Sequence, residues 1–152
     1  MVYLLILLAF LADQLSKRWI SANVTTPVEL NQWLTLRITY NEGIAFGLFQ
    51  GIGPIVGWLT IFVLAGMLIY LTQLPKQWWL HRYGLALFIG GGLGNMVDRI
   101  LFGRVLDFLE SSFRPGIFNV ADLFIYLGVF FILIGTVVHQ EEPQPESAAN
   151  IS

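Results

Sequence analysis

GPIVGWLTIFVLAGMLIYLTQL, residues 53–74, contains no Asp, Glu, Lys or Arg and lies inside an uncharged interval that runs from Gly43 to Pro75. The hydrocarbon core of a bilayer takes roughly 20 apolar residues of helix to cross, so this stretch reads as a transmembrane span. The rest of the 152-residue chain agrees: 56% of it is apolar, only 12% is charged, and the mean hydropathy is +0.70. A soluble domain of this size carries about twice that charge fraction. Lipid is the expected solvent.

Working outward gives three further spans. One runs from Met1 to about Ile20 and is interrupted by Asp13, Lys17 and Arg18. Another covers Tyr83 to Met96 or a little beyond, with Gly90, Gly91, Gly92 and Gly94 allowing a neighbouring helix to come close. The last is expected from about Ile117 to His139, broken only by Asn119 and Asp122. The first segment has no basic n-region, and Ser21-Ala22-Asn23 is a poor cleavage site, so a retained span is expected rather than a removed leader. Leu34, Leu36, Ile38 and Tyr40 alternate with Thr35, Arg37 and Thr39, the period of a half-buried strand, and Asn41-Glu42-Gly43 reads as a turn. From Gln140 the chain is rich in Glu and Pro and is expected to be a disordered acidic tail over 140–152.

A net charge of -2 and scattered basic residues offer no phosphate-binding surface, so no nucleic-acid partner is expected. The absence of cysteine removes thiolate metal sites and cysteine nucleophiles. Connectivity sorts what remains. Successive spans alternate direction, so Asp13, Lys17, Asn41, Asn95, Asp98, Arg99, Asp107, Asn119 and Asp122 share one membrane face. Lys76, His81, Arg82 and His139 fall on the other and read as a solvated edge. Ionisable groups at membrane depth are costly and mark functional sites or ion paths by default. Both histidines are predicted on the far face, and Ser16 and Lys17 point about 100° apart on a helix, which disfavours a Ser-Lys dyad. No metal and no cofactor are expected.

Carboxylates are left. Two close together cannot both ionise cheaply, so one keeps a proton and the pair can act as acid and base. Asp98 directly precedes Arg99, which suits a structural ion pair. Asp107 sits among Leu106, Phe108 and Leu109, where the protonated form is favoured, and Asp122 opens an apolar helix. Asp107 with Asp122 is the favoured pair. Asn95 and Asp98 are three apart, as are Asn119 and Asp122, so each amide is expected to hold its neighbouring carboxylate. A small transporter using the same acids is the rival reading; it would carry polar groups through the span midplanes, whereas here they gather at one end. A noncatalytic assembly protein leaves the retained acids without a purpose.

The ordered motifs DQLSK (13–17), YNEGIAF (40–46), GGLGNMVDR (91–99), VLDF (105–108) and FNVAD (118–122) resemble the bacterial lipoprotein signal peptidase family, signal peptidase II, over nearly the whole chain up to His139. The resemblance implies an inner-membrane aspartyl endopeptidase that cuts prolipoproteins just before a diacylglyceryl-modified cysteine, with Asp107 and Asp122 as the catalytic dyad. It makes Asn41, Asn95, Arg99 and Asn119 residues that orient substrate or dyad, and Asp13, Lys17 and Asp98 supports. The implied fold is a single domain over 1–139: four transmembrane helices, a short surface β-sheet and a loop helix near Leu106 to Phe113. The expected partners are prolipoprotein substrates and membrane lipid, and the expected state is a monomer. Ile44 departs from the small residue usual at that place. Near-face segments hold Lys17, Arg18, Arg37, Arg99, Arg104 and Arg114 against Lys76 and Arg82 on the far face, which by charge counting alone would make the site cytoplasmic. The resemblance implies the opposite: site near the outer face, both termini cytoplasmic. Several of those arginines stand among acids in site-forming segments rather than in free loops.

Overall fold

In a computed structural model that describes residues 1–43 and 51–139, the element order is α1 (Val2–Asn23), β1 (Val28–Asn31), β2 (Leu34–Asn41), α2 (Gly53–Gln73), α3 (Trp79–Phe102), β3 (Val105–Ser111), β4 (Arg114–Phe118) and α4 (Val120–His139). Ile44 and the tail from Gln140 lie outside the described residues. Helices α2, α3 and α4 are each long and apolar enough to cross a membrane. Helix α1 has the length but also carries Asp13, Lys17 and Arg18.

Helix α3 is the axis of the bundle: the other three helices pack against it. Its glycines explain how. A Cβ on Gly90 would meet Ala9 and Ile6 of α1, one on Gly91 would overlap the Ala121 carbonyl of α4, and one on Gly92 would press on Leu64 of α2. Small residues let backbones approach where lipid offers no hydrophobic drive for helices to associate. The buried stripe of α1 is Val2, Ile6, Ala9, Asp13, Lys17 and Ile20, a helical spacing that carries two charged groups inward with the apolar ones. Leu4, Leu7, Leu8, Leu11 and Leu15 face outward.

The sheet is antiparallel throughout, in the order β1-β2-β3-β4. It sits on one end of the bundle, where Leu36 and Phe108 pack with Ile20 of α1 and with Val24 just after it. Val2, Ile6, Leu71, Leu74, Leu85, Ala86 and Ile89 fill the other end. There Arg82 donates to the carbonyls of Leu71 (3.2 Å) and Leu74 (2.6 Å), satisfying the C-terminus of α2, and His81 is buried. These two side chains belong to the packed structure, not to the solvated edge expected for them.

Two further expectations are corrected. Residues 105–111, where the loop helix is implied, form an interior strand of the sheet, with Thr39 opposite Asp107 and Asn41 opposite Val105. Paired with β2 along its length and with β4 over Leu109–Ser111, the segment satisfies its backbone in the ladder and has no use for helical bonds. The last helix begins at Val120 rather than near Ile117, because Ile117 and Phe118 belong to β4.

Candidate active site

Asn119 is the hinge of the site. Its backbone N–H donates to Asp122 Oδ2 (3.2 Å) and its side-chain Oδ1 accepts from the Asp122 N–H (3.0 Å), a reciprocal cap that starts α4. The Asn119 side-chain amide then spends both N–H groups across the chain, on Asp107 Oδ1 (2.6 Å) and on Asn95 Oδ1 (3.0 Å). The residue is fully buried and every polar atom of its side chain has a partner. One side chain thereby fixes strand β3, helix α3 and the first turn of α4 relative to one another.

Asp107 enters from β3 and Asp122 from the first turn of α4. Asp107 Oδ2 also accepts from Asn41 Nδ2 at 3.3 Å, while Asn41 Oδ1 accepts the Gly43 N–H and closes the turn after β2. Asp122 Oδ1 accepts from Asn95 Nδ2 at 2.9 Å. Burial, and next the charge of Asp122, push the Asp107 carboxyl up to about 6; the amides of Asn41 and Asn119 and the Lys17 charge pull it down. Both carboxyls border a cavity of about 330 Å3 that Asn41, Asn95, Arg99 and Tyr126 also line. Arg99 donates to the carbonyls of Gly43 (3.1 Å) and Asn95 (3.4 Å), and its Nε is buried with no hydrogen-bond partner among the described residues.

Beside this pair lies a second polar cluster. The Lys17 ammonium is 2.8 Å from Asp13 and 2.7 Å from Asp98, and it donates to Asn95 Oδ1 at 3.0 Å. Asp13 accepts the Ala121 N–H at 2.9 Å, serving the first turn of α4. Gln14 reaches Asp98 (3.0 Å), Asp13 (3.3 Å) and the Gly94 carbonyl (3.3 Å). Sequence reasoning missed Gln14; its place beside Asp13 at the inward edge of α1 is the one signal it offers. Two expected pairings are wrong. The cation that meets Asp98 is Lys17, not the adjacent Arg99, and Asn95 turns its amide to Asp122 rather than to Asp98. Neighbours in sequence on α3 point in different directions, and the partners come from α1 and α4. Among the described residues, no group of three or more His, Asp or Glu side chains is placed to hold a metal ion.

Apolar helices with buried and half-buried carboxyls gathered at one end, under a small sheet, define a helical membrane protein with a polar site. The signal peptidase (SPase) II family model matches residues 5–138, and the chain belongs to that family. It is 33% identical to the lipoprotein signal peptidase of Shewanella loihica, over 97% of this chain and 92% of the relative. The corresponding figures are 34%, 86% and 81% for that of Hydrogenovibrio crunogenus and 37%, 84% and 87% for that of a Synechococcus species. Two solved structures described as bacterial membrane enzymes share the fold. One has a TM-score of 0.81 at 23% identity, covering 99% of this chain and 94% of the other; the second has 0.79 at 26%, covering 90% and 92%.

Proposed function

We infer that this protein is an aspartyl endopeptidase of the bacterial inner membrane that removes the signal peptide from prolipoproteins, cutting just before a diacylglyceryl-modified cysteine. The observation that carries the reading is the way Asn119 reaches both Asp107 and Asp122 at the edge of one cavity. Neutral amides hold both carboxyls, and among the described residues neither has a cation at ion-pair distance, so a proton can pass between them and a substrate. One carboxylate deprotonates a water while the other, protonated, donates to the scissile carbonyl; collapse of the gem-diol reverses the roles. Asn41, Asn95 and Arg99 are the groups within reach of a substrate backbone entering the cavity, and no cofactor takes part.

In this reading α1 is a fourth span. Its two buried charges are matched by Asp98 and by each other, and its outward face is leucine. The signal helix of the substrate lies among the spans with its lipid in the bilayer, so membrane anchoring supplies much of the positioning entropy. The site stands near the outer face, both termini are cytoplasmic, and one copy suffices. The apolar packing at the opposite end of the bundle argues against a transport path. The test is incubation of the detergent-purified protein with a diacylglyceryl-modified prolipoprotein. The expected result is release of the signal peptide on a gel; a folded preparation that leaves this substrate intact overturns the reading.

A further inference from the structure

A second cavity, of about 500 Å3, shares no lining residue with the one at the carboxyl pair. Helices α1 and α3 form its walls, where Leu11, Leu15, Leu101 and Phe102 are all exposed. At the sheet end it meets two exposed arginines, Arg18 near the end of α1 and Arg104 just after α3. The Arg104 guanidinium lies over the ring of Tyr40, 4.0 Å from its centroid, which orients the cation without neutralising it. Among the described residues, neither arginine has a carboxylate at ion-pair distance, whereas Arg37 on β2 does.

We propose that this groove binds one anionic phospholipid of the surrounding bilayer, an acyl chain lying along α1 and α3 and the phosphate between Arg18 and Arg104. The polarity fits from end to end: apolar walls at hydrocarbon depth, then two cations where the headgroup falls. Guanidinium forks match phosphate oxygens, and a neutral diacylglycerol has none to offer. Lys17, Asp98 and Gln14 also border the groove, so a seated lipid covers the outer side of the Lys17 cluster and keeps water from it. The proposal rests on α1 spanning the membrane, as in the peptidase reading.

The experiment is native mass spectrometry of the full chain in detergent, titrated separately with phosphatidylglycerol, phosphatidylcholine and diacylglycerol. One retained phosphatidylglycerol is expected, with roughly tenfold preference over the other two. Arg18→Gln with Arg104→Gln removes the preference; both residues are exposed, so the fold tolerates the change. Leu101→Trp, at a position 66% exposed, fills the groove and lowers retention of phosphatidylglycerol. Equal retention of the three lipids, an unchanged preference in the double arginine variant, or full retention by Leu101→Trp each overturn the proposal. Asp107→Asn separates the two readings: it is expected to retain lipid as the wild type does while losing cleavage. In the wild type, cleavage without lipid preference defeats the groove alone, and lipid preference without cleavage defeats the peptidase alone.

Discussion

Two pairs of carboxyls lie side by side in this protein, all buried except the half-buried Asp122, and they are held in opposite ways. Asp13 and Asp98 share one ammonium, that of Lys17, at 2.8 and 2.7 Å. Asp107 and Asp122 are held by the neutral amides of Asn41, Asn95 and Asn119. A cation gives a carboxylate a charge partner; an amide fixes its direction and gives it none. The first arrangement suits a strut and the second suits acid-base chemistry. Asn95 joins them, accepting from Lys17 and donating to Asp122.

The comparison breaks most visibly at the amide-held pair. Asp107→Asn and Asp122→Asn are each expected to abolish cleavage, a loss of at least about a hundredfold, with nearly unchanged folded yield, since Asn keeps the shape but cannot exchange the proton. Specific activity of the purified variants decides it, and full turnover in either removes that residue from the dyad. At the strut the effect moves to stability. Lys17→Met leaves two buried carboxylates facing one another and is expected to cost about 3 to 5 kcal/mol. Asp98→Asn is milder, about 1 to 3 kcal/mol, because Lys17 keeps Asp13 as its partner. Melting temperature and turnover measured together distinguish the cases: the Asp98 variant should melt early yet retain turnover per folded molecule. A stable but inactive Asp98→Asn protein would reverse the assignment of roles.

The pH dependence sharpens the same contrast. Asp107 rises from an ordinary 3.8 to about 6, so the native state binds its proton more tightly than the unfolded chain does. The associated stability is fully present below pH 4 and is lost as pH rises to about 6. Asp107→Asn has no such loss. Its melting temperature is expected to gain on the wild type across that interval, by the equivalent of about 1 to 3 kcal/mol. Parallel melting curves from pH 4 to pH 7 would mean that Asp107 titrates near its ordinary value.

Much of this was legible in the sequence, and unevenly. The span over 53–74 is read almost to the residue, because an uncharged apolar run of that length has one physical interpretation. The strand before Asn41 is equally plain from its alternation. Residues 105–109 mislead: a short apolar run around one acid fits helix or strand, and only its pairing with β2 settles which. The near-face gathering of Asp13, Lys17, Asn95, Asp98, Asp107, Asn119 and Asp122 follows from connectivity alone. Who meets whom within it does not. Lys17 reaches Asp98 across the packing of α1 on α3, a contact set by where Gly90 and Gly94 let α1 settle, and sequence adjacency pointed to Arg99 instead.

The smallest expected effect comes from a third pair of opposite charges, and it tests whether burial rather than pairing makes the Lys17 cluster matter. Arg37 Nε lies 3.0 Å from Glu110 Oε2, a distance close to those in the cluster, but the two side chains are 52% and 38% exposed. Water already solvates both partners, so removing one leaves no stranded charge, and the pair also gives up side-chain entropy to hold its geometry. Glu110→Gln should therefore shift stability by less than about 1 kcal/mol, with cleavage unchanged, and added salt should erase the difference. A loss as large as that of Lys17→Met would mean that the sheet depends on this contact for its seat on the bundle. The distinction drawn between buried and solvated pairs would then fail at the very place where the distances are most alike.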